Sequence, residues 1–303
     1  MTSPTPSGSA VVAEWAADSN YRARRIKNAV MTALMLAALA VTIGALAWVL
    51  IYVALQGFKY LNVGFLIKTP PGSPAKGGGG FYNGIIGTVI IVGIAFVVAA
   101  PVGVLVAVYL VEYGRGRTAA TVRFLADVLV GVPSIVVGAF IYATWVLNFG
   151  FSGLAGALSL SIVMLPLIIR SAEEVILLVP RDLREASYAL GVPKWKTTLR
   201  ITLPTARNGI LTGMMLAVAR AAGETAPLIL TALGNDLFTE YNPLHRMSTL
   251  SLLIFHNATT GFKPAQARAW AGALVLIIMI LSLTLVSRWL SGRRERTMGG
   301  AVK

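Results

Sequence analysis

Long uncharged, apolar runs broken by short polar segments set the pattern of this chain. A membrane-crossing helix needs about 20 predominantly apolar residues, and several runs reach that length. Asn28 to Phe58 is one, and Gly77 to Val111 is a second, with its helix starting near Tyr82. Val128 to Ile169 is a stretch of 42 residues without a charge, enough for two spans with a turn at Asn148-Phe149-Gly150. Ala269 to Ser287 closes the series, and Asn208 to Asn235 is long enough although it carries Arg220 and Glu224. The pattern predicts an all-α membrane protein with six transmembrane helices.

The segments between the runs divide the chain. Residues 1–25 read as a disordered cytoplasmic tail, because their first twenty are rich in Ser, Thr, Pro and Ala. Residues 26–58 form the first span. Residues 59–81 hold Pro70, Pro71, Pro74 and the run Gly77 to Gly80, and read as a flexible extracytoplasmic connector. A core of five spans covers 82–292, with a polar loop at about 180–205 and an outer loop at about 236–267; 293–303 is a basic tail. Within the outer loop, Met247 to Ala258 predicts a helix with Leu250, Leu253, Ile254 and Asn257 on one side, at the outer interface or over a pathway. Gly131-Val132-Pro133-Ser134 falls inside the third span, where a proline kinks the helix and frees a carbonyl. Two readings stay open there, a lined cavity or a packing kink. Gly209 and Gly213 make a small-residue face that permits close helix approach.

Charge then orients the chain. Hydrophobic residues make up 56% of the 303 positions and charged residues 13%, far from a soluble composition. With the N-terminus inside, 19 of the 26 Lys and Arg residues fall on the cytoplasmic side and six outside, with Arg220 within a span. Both termini are therefore expected in the cytoplasm, and the formal charge of +14 is a topology signal rather than a sign of nucleic-acid binding. Trp48, Tyr52, Tyr142, Trp145 and Trp270 near outer ends, and Tyr109, Tyr113 and Trp289 near inner ends, suit an interfacial belt. The first span is about twice the length of a signal-peptide core and is expected to be retained. With no cysteine and only His245 and His256, a metal site has little support. No phosphate-cradling Gly-x4-Gly-Lys-Ser/Thr occurs, so no cofactor is expected on this chain, nor any nucleophile–base set of an enzyme.

Two constellations carry mechanism. In the first, Asp182 is placed to cap a short helix; Leu183, Ala186, Leu190 and Trp195 supply an apolar stripe, while Arg184, Glu185 and Lys194 stay polar. Ala186 and Ser187 are small enough for a partner to approach, and Gly191 stops the helix with a positive φ. The second is Arg220-Ala-Ala-Gly-Glu224-Thr225-Ala-Pro227. At ~1.5 Å per residue, Arg220 lies about 18 Å along the helix from Asn208, near mid-span. A charge at that depth needs a protein or water cavity and a counterion, which Glu224 supplies one turn on. The pair is either a packing device or a cationic element on an anion path. Arg170, at the end of the fourth span, either snorkels to headgroups or joins that path; Asp127, four residues after Arg123, reads as the partner of a local interface pair.

Glu185-Ala186-Ser187, Gly191, and then Ile201-Thr202-Leu203-Pro204 after nine residues resembles the "EAA" signature of bacterial ABC importer permeases, with Ser187 where the family usually has alanine. The Arg220 to Pro227 segment, the run Gly131 to Gly138 and Ala269-Trp270-Ala271 are similar to the phosphate-specific ABC importer permeases, closest to the PstA-type subunits, over roughly Tyr82 to Arg288. The resemblance implies a type I importer permease of the bacterial inner membrane, in which Glu185, Ala186, Ser187, Leu190, Gly191, Leu203 and Pro204 form a coupling helix and loop for a separate ATPase. It implies a substrate pathway with Arg220, Glu224 and Arg170, beside which Thr225 and Ser134 are expected. It also implies a PstC-type permease partner, two PstB-type ATPase subunits that bind the ATP and magnesium, and a PstS-type phosphate-binding protein. Two other functions remain open: a permease for another oxyanion such as molybdate or sulfate, and an ATP-independent channel or assembly factor.

Overall fold

The computed structural model of the chain describes residues 19–299. Twelve helices are used below. The first, α1 (Ser19–Phe58), is followed by the short α2 (Val63–Ile67). Then come α3 (Tyr82–Val108), α4 (Gly116–Gly131), α5 (Ser134–Ile141) and α6 (Gly153–Leu177). The polar loop contains α7 (Arg181–Ala189) and α8 (Lys194–Thr197). Last are α9 (Leu203–Gly223), α10 (Ala226–Thr231), α11 (Leu250–Ala258) and α12 (Lys263–Gly299). The chain divides into two compact units, one ending at Leu55 and one from Gln56 onward.

Among the described residues, four helices are long and apolar enough to cross a membrane: Tyr21–Phe58, Tyr82–Tyr113, Gly153–Leu177 and Lys263–Val286; α4 with the helical stretch from Ser134 to Phe149 counts as a fifth if that bent pair is one span. The expected six are thus not reproduced by length and composition. The missing one is α9, whose 21 residues include Arg207, Asn208 and Arg220. The third span is also not a mildly kinked rod. Its halves meet at 101°, because Pro133 has no N–H to continue the ladder and drives Val132 to an extended φ of −70° and ψ of 125°. The unstructured tail drawn to residue 25 is corrected as well, since residues 19–25 are the first turns of α1; its earlier residues lie outside the described range. So do the last four residues of the basic tail, whose described part continues α12.

Small residues let the core helices touch. A Cβ on Gly103 of α3 would stand 2.7 Å from Ile168 of α6, and one on Gly209 of α9 would stand 2.5 Å from Val175. Gly213 meets Ser171 more closely still. The expected small-residue face of α9 is therefore its contact with α6. Around these contacts Ile91, Ala95, Leu160, Met164, Ile168, Ala217 and Leu228 are fully buried.

Two loops differ from expectation. Residues 59–81 are not a loose connector: Phe65 of α2 stacks on Phe81 at 5.1 Å, and their backbones join through a Phe81 N–H to Phe65 carbonyl bond of 3.0 Å. Arg268 of α12 donates to the carbonyls of Pro74 (3.2 Å) and Lys76 (2.6 Å), which ties down the proline-rich stretch. Likewise, the first half of α11 is not a surface segment. Leu250, Leu252 and Leu253 are fully buried, and a Thr88 hydroxyl on α3 accepts the Leu250 N–H at 2.9 Å. All of its residues from 250 to 253 are buried, not one face alone, because it packs between α3 and α12.

Candidate functional site

Two helix interruptions face each other. The α4–α5 chain breaks at Pro133, and the α9–α10 chain breaks at Glu224, whose backbone turns extended (φ −69°, ψ 133°) after Gly223. Their C-terminal halves are pressed together: a Cβ on Gly138 of α5 would lie 2.6 Å from the Cα of Pro227 in α10. Discontinuous helices that expose their ends to one another are a common way to build a polar site inside an apolar body.

At that junction the Ser134 hydroxyl, on the first residue of α5, donates to Glu224 Oε2 at 2.9 Å. Glu224 Oε1 lies 3.5 Å from Arg220 Nε. The carboxylate therefore stands at the N-terminal end of α5 as well as beside a guanidinium. Buried Ser251 of α11 fixes the break from behind, donating to the Glu224 carbonyl at 2.9 Å. Thr225 precedes α10, half-buried, with no side-chain cap to it. Glu224 is thus the meeting point of four elements, although the helix no longer continues through it as the sequence suggested.

Arg220 differs from its neighbours. Its side chain is 52% exposed while Glu224 is 17% exposed, and among the described residues it makes no hydrogen bond. An open ion pair of this kind holds about 0–1 kcal/mol. A tetrahedral oxyanion that offered the guanidinium two charge-assisted hydrogen bonds, each worth about 1.5–3 kcal/mol, would win over it. Arg220 and Ser134 share a narrow cleft with Val137, Ile162, Pro166 and Leu167.

Arg170 has a different setting. It donates to Asp127 Oδ1 at 2.7 Å and to Glu173 Oε2 at 3.0 Å. Arg123 donates to Glu173 Oε1 at 2.6 Å and to the Leu110 carbonyl at 2.9 Å. The local Arg123–Asp127 pair is therefore corrected: α4 and α6 exchange partners across their contact, and Arg170 is held by two carboxylates rather than snorkelling freely. The structure does not bring Arg170 to the Arg220–Glu224–Ser134 group through any bond among the described residues. Glu173, which is 5% exposed, is the residue the sequence reading missed; its three-residue offset from Arg170 was the available signal.

The polar loop forms the expected short helix. Pro180, not Asp182, takes the cap position of α7, and Asp182 sits in its first turn. Gly191 has a φ of +74°, and a Val192 N–H to Ser187 carbonyl bond of 3.2 Å closes the end. Ser187 is buried, its hydroxyl 2.8 Å from that of Thr197, while Glu185 and Ala186 are exposed. Leu183, Tyr188, Leu190 and Trp195 are exposed apolar residues, Leu190 at 84%. Leu203 and Pro204 open α9 directly after the loop. Arg184 turns inward: its side chain is half-buried, forms an ion pair with Glu112 at 3.2 Å, and donates to the Ile176 carbonyl at 2.8 Å.

Comparison with known proteins adds to this geometry. Residues 99–296 match the family model described as the binding-protein-dependent transport system inner membrane component. The chain is 42% identical to phosphate transport system permease protein PstA 1 of Mycobacterium tuberculosis, over 90% of this chain and 91% of that one. It is 37% identical to phosphate transport system permease protein PstA of Pasteurella multocida, over 89% and 96%. Among solved structures, a bacterial alginate ABC transporter superposes with a TM-score of 0.64 at 14% identity, covering 88% of this chain and 95% of that one. An inward-facing methionine ABC transporter, MetNI, gives 0.55 at 18% identity, covering 70% and 93%.

Proposed function

The chain belongs to the family of inner-membrane components of binding-protein-dependent transport systems, and on that premise we propose how it works as the PstA-type permease subunit of an ATP-driven phosphate importer. It is a non-enzymatic, multi-pass membrane protein with the all-helical fold of ABC importer membrane chains. The observation that carries the substrate reading is Arg220: a guanidinium well inside an apolar helix, more than half exposed, held only by a loose ion pair at the break of two helices. Inorganic phosphate at neutral pH is a mono- or dianion that a guanidinium binds bidentately. Glu224 keeps Arg220 in place between substrates, Ser134 holds the Glu224 carboxylate, and Thr225 offers a hydroxyl at the same break. Binding here must remain weak enough to release, so tight capture belongs to a PstS-type binding protein outside the membrane. Arg170, already satisfied by Asp127 and Glu173, serves as a framework of the pathway rather than its moving charge.

The other half of the pathway would come from a homologous PstC-type subunit. Two PstB-type ATPases would bind ATP and magnesium on the cytoplasmic side, one of them against Leu183, Tyr188 and Leu190 of α7. Both termini lie on that side. An apolar helix face that enters a partner's groove needs anchors of this kind.

The test is phosphate uptake into proteoliposomes holding the complete complex. Arg220→Gln is expected to lower uptake by about 100-fold, the equivalent of one lost charge-assisted hydrogen bond, with co-purification of the subunits unchanged. Normal uptake, or a complex that no longer assembles, overturns the reading. Inhibition by molybdate or sulfate equal to that by phosphate would favour a general oxyanion permease.

A further inference from the structure

At the opposite end of α12 from its basic tail lies a cleft of about 410 Å³ that no role above uses. Its cations are Lys59, Lys263 and Arg268, and its floor is the glycine run Gly77 to Gly79. We propose that this cleft is an oxyanion site for a phosphate group, separate from Arg220.

Four observations carry it. First, three cations line the cleft and no carboxylate does. Second, among the described residues neither lysine forms an ion pair; Lys59 Nζ donates only to the neutral Gln56 Oε1, at 3.1 Å. Third, Arg268 is 5% exposed, yet its donors go to carbonyls of Pro74, Lys76 and Gly78 and to Asn257 Oδ1. Those bonds satisfy its N–H groups but leave a full buried charge without a counterion, which is costly unless an anion comes near. Fourth, the glycine wall has no side chains to block entry, and the amides of Gly77, Gly78 and Gly79 donate no hydrogen bond among the described residues. Such amides complement an anion. The volume falls in the ~300–1,000 Å³ range of small-ligand sites.

A phosphate group can reach this cleft from two sources. Lys59 follows directly on α1 and Lys263 begins α12, where apolar helices start and end, so the phosphate of an anionic lipid headgroup can reach it. Free inorganic phosphate can reach it from solution. The chemistry that recognises both is the same.

The experiment uses the full-length chain in its purified complex, carrying Arg220→Gln so that binding at the helix break does not register. Equilibrium dialysis with radiolabelled inorganic phosphate in detergent tests the free ion. Native mass spectrometry after passage through nanodiscs of phosphatidylcholine with phosphatidylglycerol tests the lipid. Lys59→Gln with Lys263→Gln should weaken retention of one probe by about tenfold or more, as expected for removing two charges beside an anion. Ala267→Asp, which lines the cleft from α12 and removes no side chain, should do the same by repulsion and stands in if the double variant folds poorly. Loss of phosphate binding identifies the free ion, and loss of phosphatidylglycerol identifies the headgroup. If the parent retains neither probe, or neither variant changes retention, the proposal is overturned.

Discussion

Arg123, Arg170, Arg184 and Arg268 each donate hydrogen bonds to carboxylates, carbonyls or a side-chain amide oxygen inside the chain. Arg220 donates to none among the described residues, and it differs from these four in having its guanidinium free for the role proposed above. Glu173 shows what the structural kind is worth. Glu173→Gln would leave Arg123 and Arg170 facing each other without their shared counterion. A buried pair broken this way costs several kcal/mol, but both arginines remain about a third exposed, so the expected loss is about 1–3 kcal/mol. A lowered melting temperature of the purified complex checks it, whereas Asp127→Asn, at a 55% exposed carboxylate, should move it little. A second residue-scale expectation concerns pH. A hydrogen bond to Asp236, at 3.2 Å, holds His256 above its ordinary 6.5. A raised folded value means the pair contributes fully below 6.5 and loses its contribution as pH climbs through the raised value. Amide exchange in the stretch 234–258 should therefore quicken beyond the intrinsic rate as pH rises above 6.5, and Asp236→Asn should flatten that dependence. The Arg220–Glu224 pair was legible from spacing alone. The exchanged partners were not, because Arg123 and Glu173 are 50 residues apart and only tertiary contact brings them together.

At the scale of elements, the two interrupted helices and α7 do most of the work. Pro133 announced a break in the sequence, but the 101° angle depends on what α5 packs against, and that contact is Gly138 on the backbone of Pro227. Nothing local to residues 131–134 specifies it. The end of α7 is the reverse case, since Gly191 and Pro193 fix its stop without tertiary help. Gly191 has a φ of +74°, and a Cβ there would meet nothing within 4 Å. Gly191→Val therefore acts through backbone strain alone, about 1–3 kcal/mol for a β-branched residue held in the left-handed region. The variant should insert and assemble, yet ATP-driven phosphate uptake should fall by about tenfold or more as the helix end is displaced. Unchanged uptake beside unchanged ATP hydrolysis would detach α7 from the transport cycle. Leu183 and Leu190 of the expected stripe are exposed apolar residues, while helical periodicity marked Arg184 only as polar and did not reveal that Glu112 waits behind it.

For the molecule as a whole, hydropathy located the long helices and the polar loop. It misjudged the connectors, because composition reports what a segment lacks and not what another segment provides. Residues 59–81 are held by bonds among themselves, and Arg268, almost two hundred positions later, satisfies the carbonyls of Pro74, Lys76 and Gly78. In the same way α11 looked amphipathic, yet its first four residues are all buried, with α3 and α12 packed against the helix. Arg268→Met should release the proline-rich stretch, so limited proteolysis should cut within residues 70–80 of the variant and spare the parent. Equal protection would show that Phe65, Phe81 and α2 hold the segment unaided.

The grip of Arg184 on Glu112 and on the Ile176 carbonyl joins α7 to the ends of two long helices at once. A stiff tether of that sort loses no stroke to slack: a nudge of a few ångströms on the loop arrives at both rods together, as torque instead of local bending. Loosen it, and the ATPase proposed to dock there would still run, like an engine with the clutch pressed down.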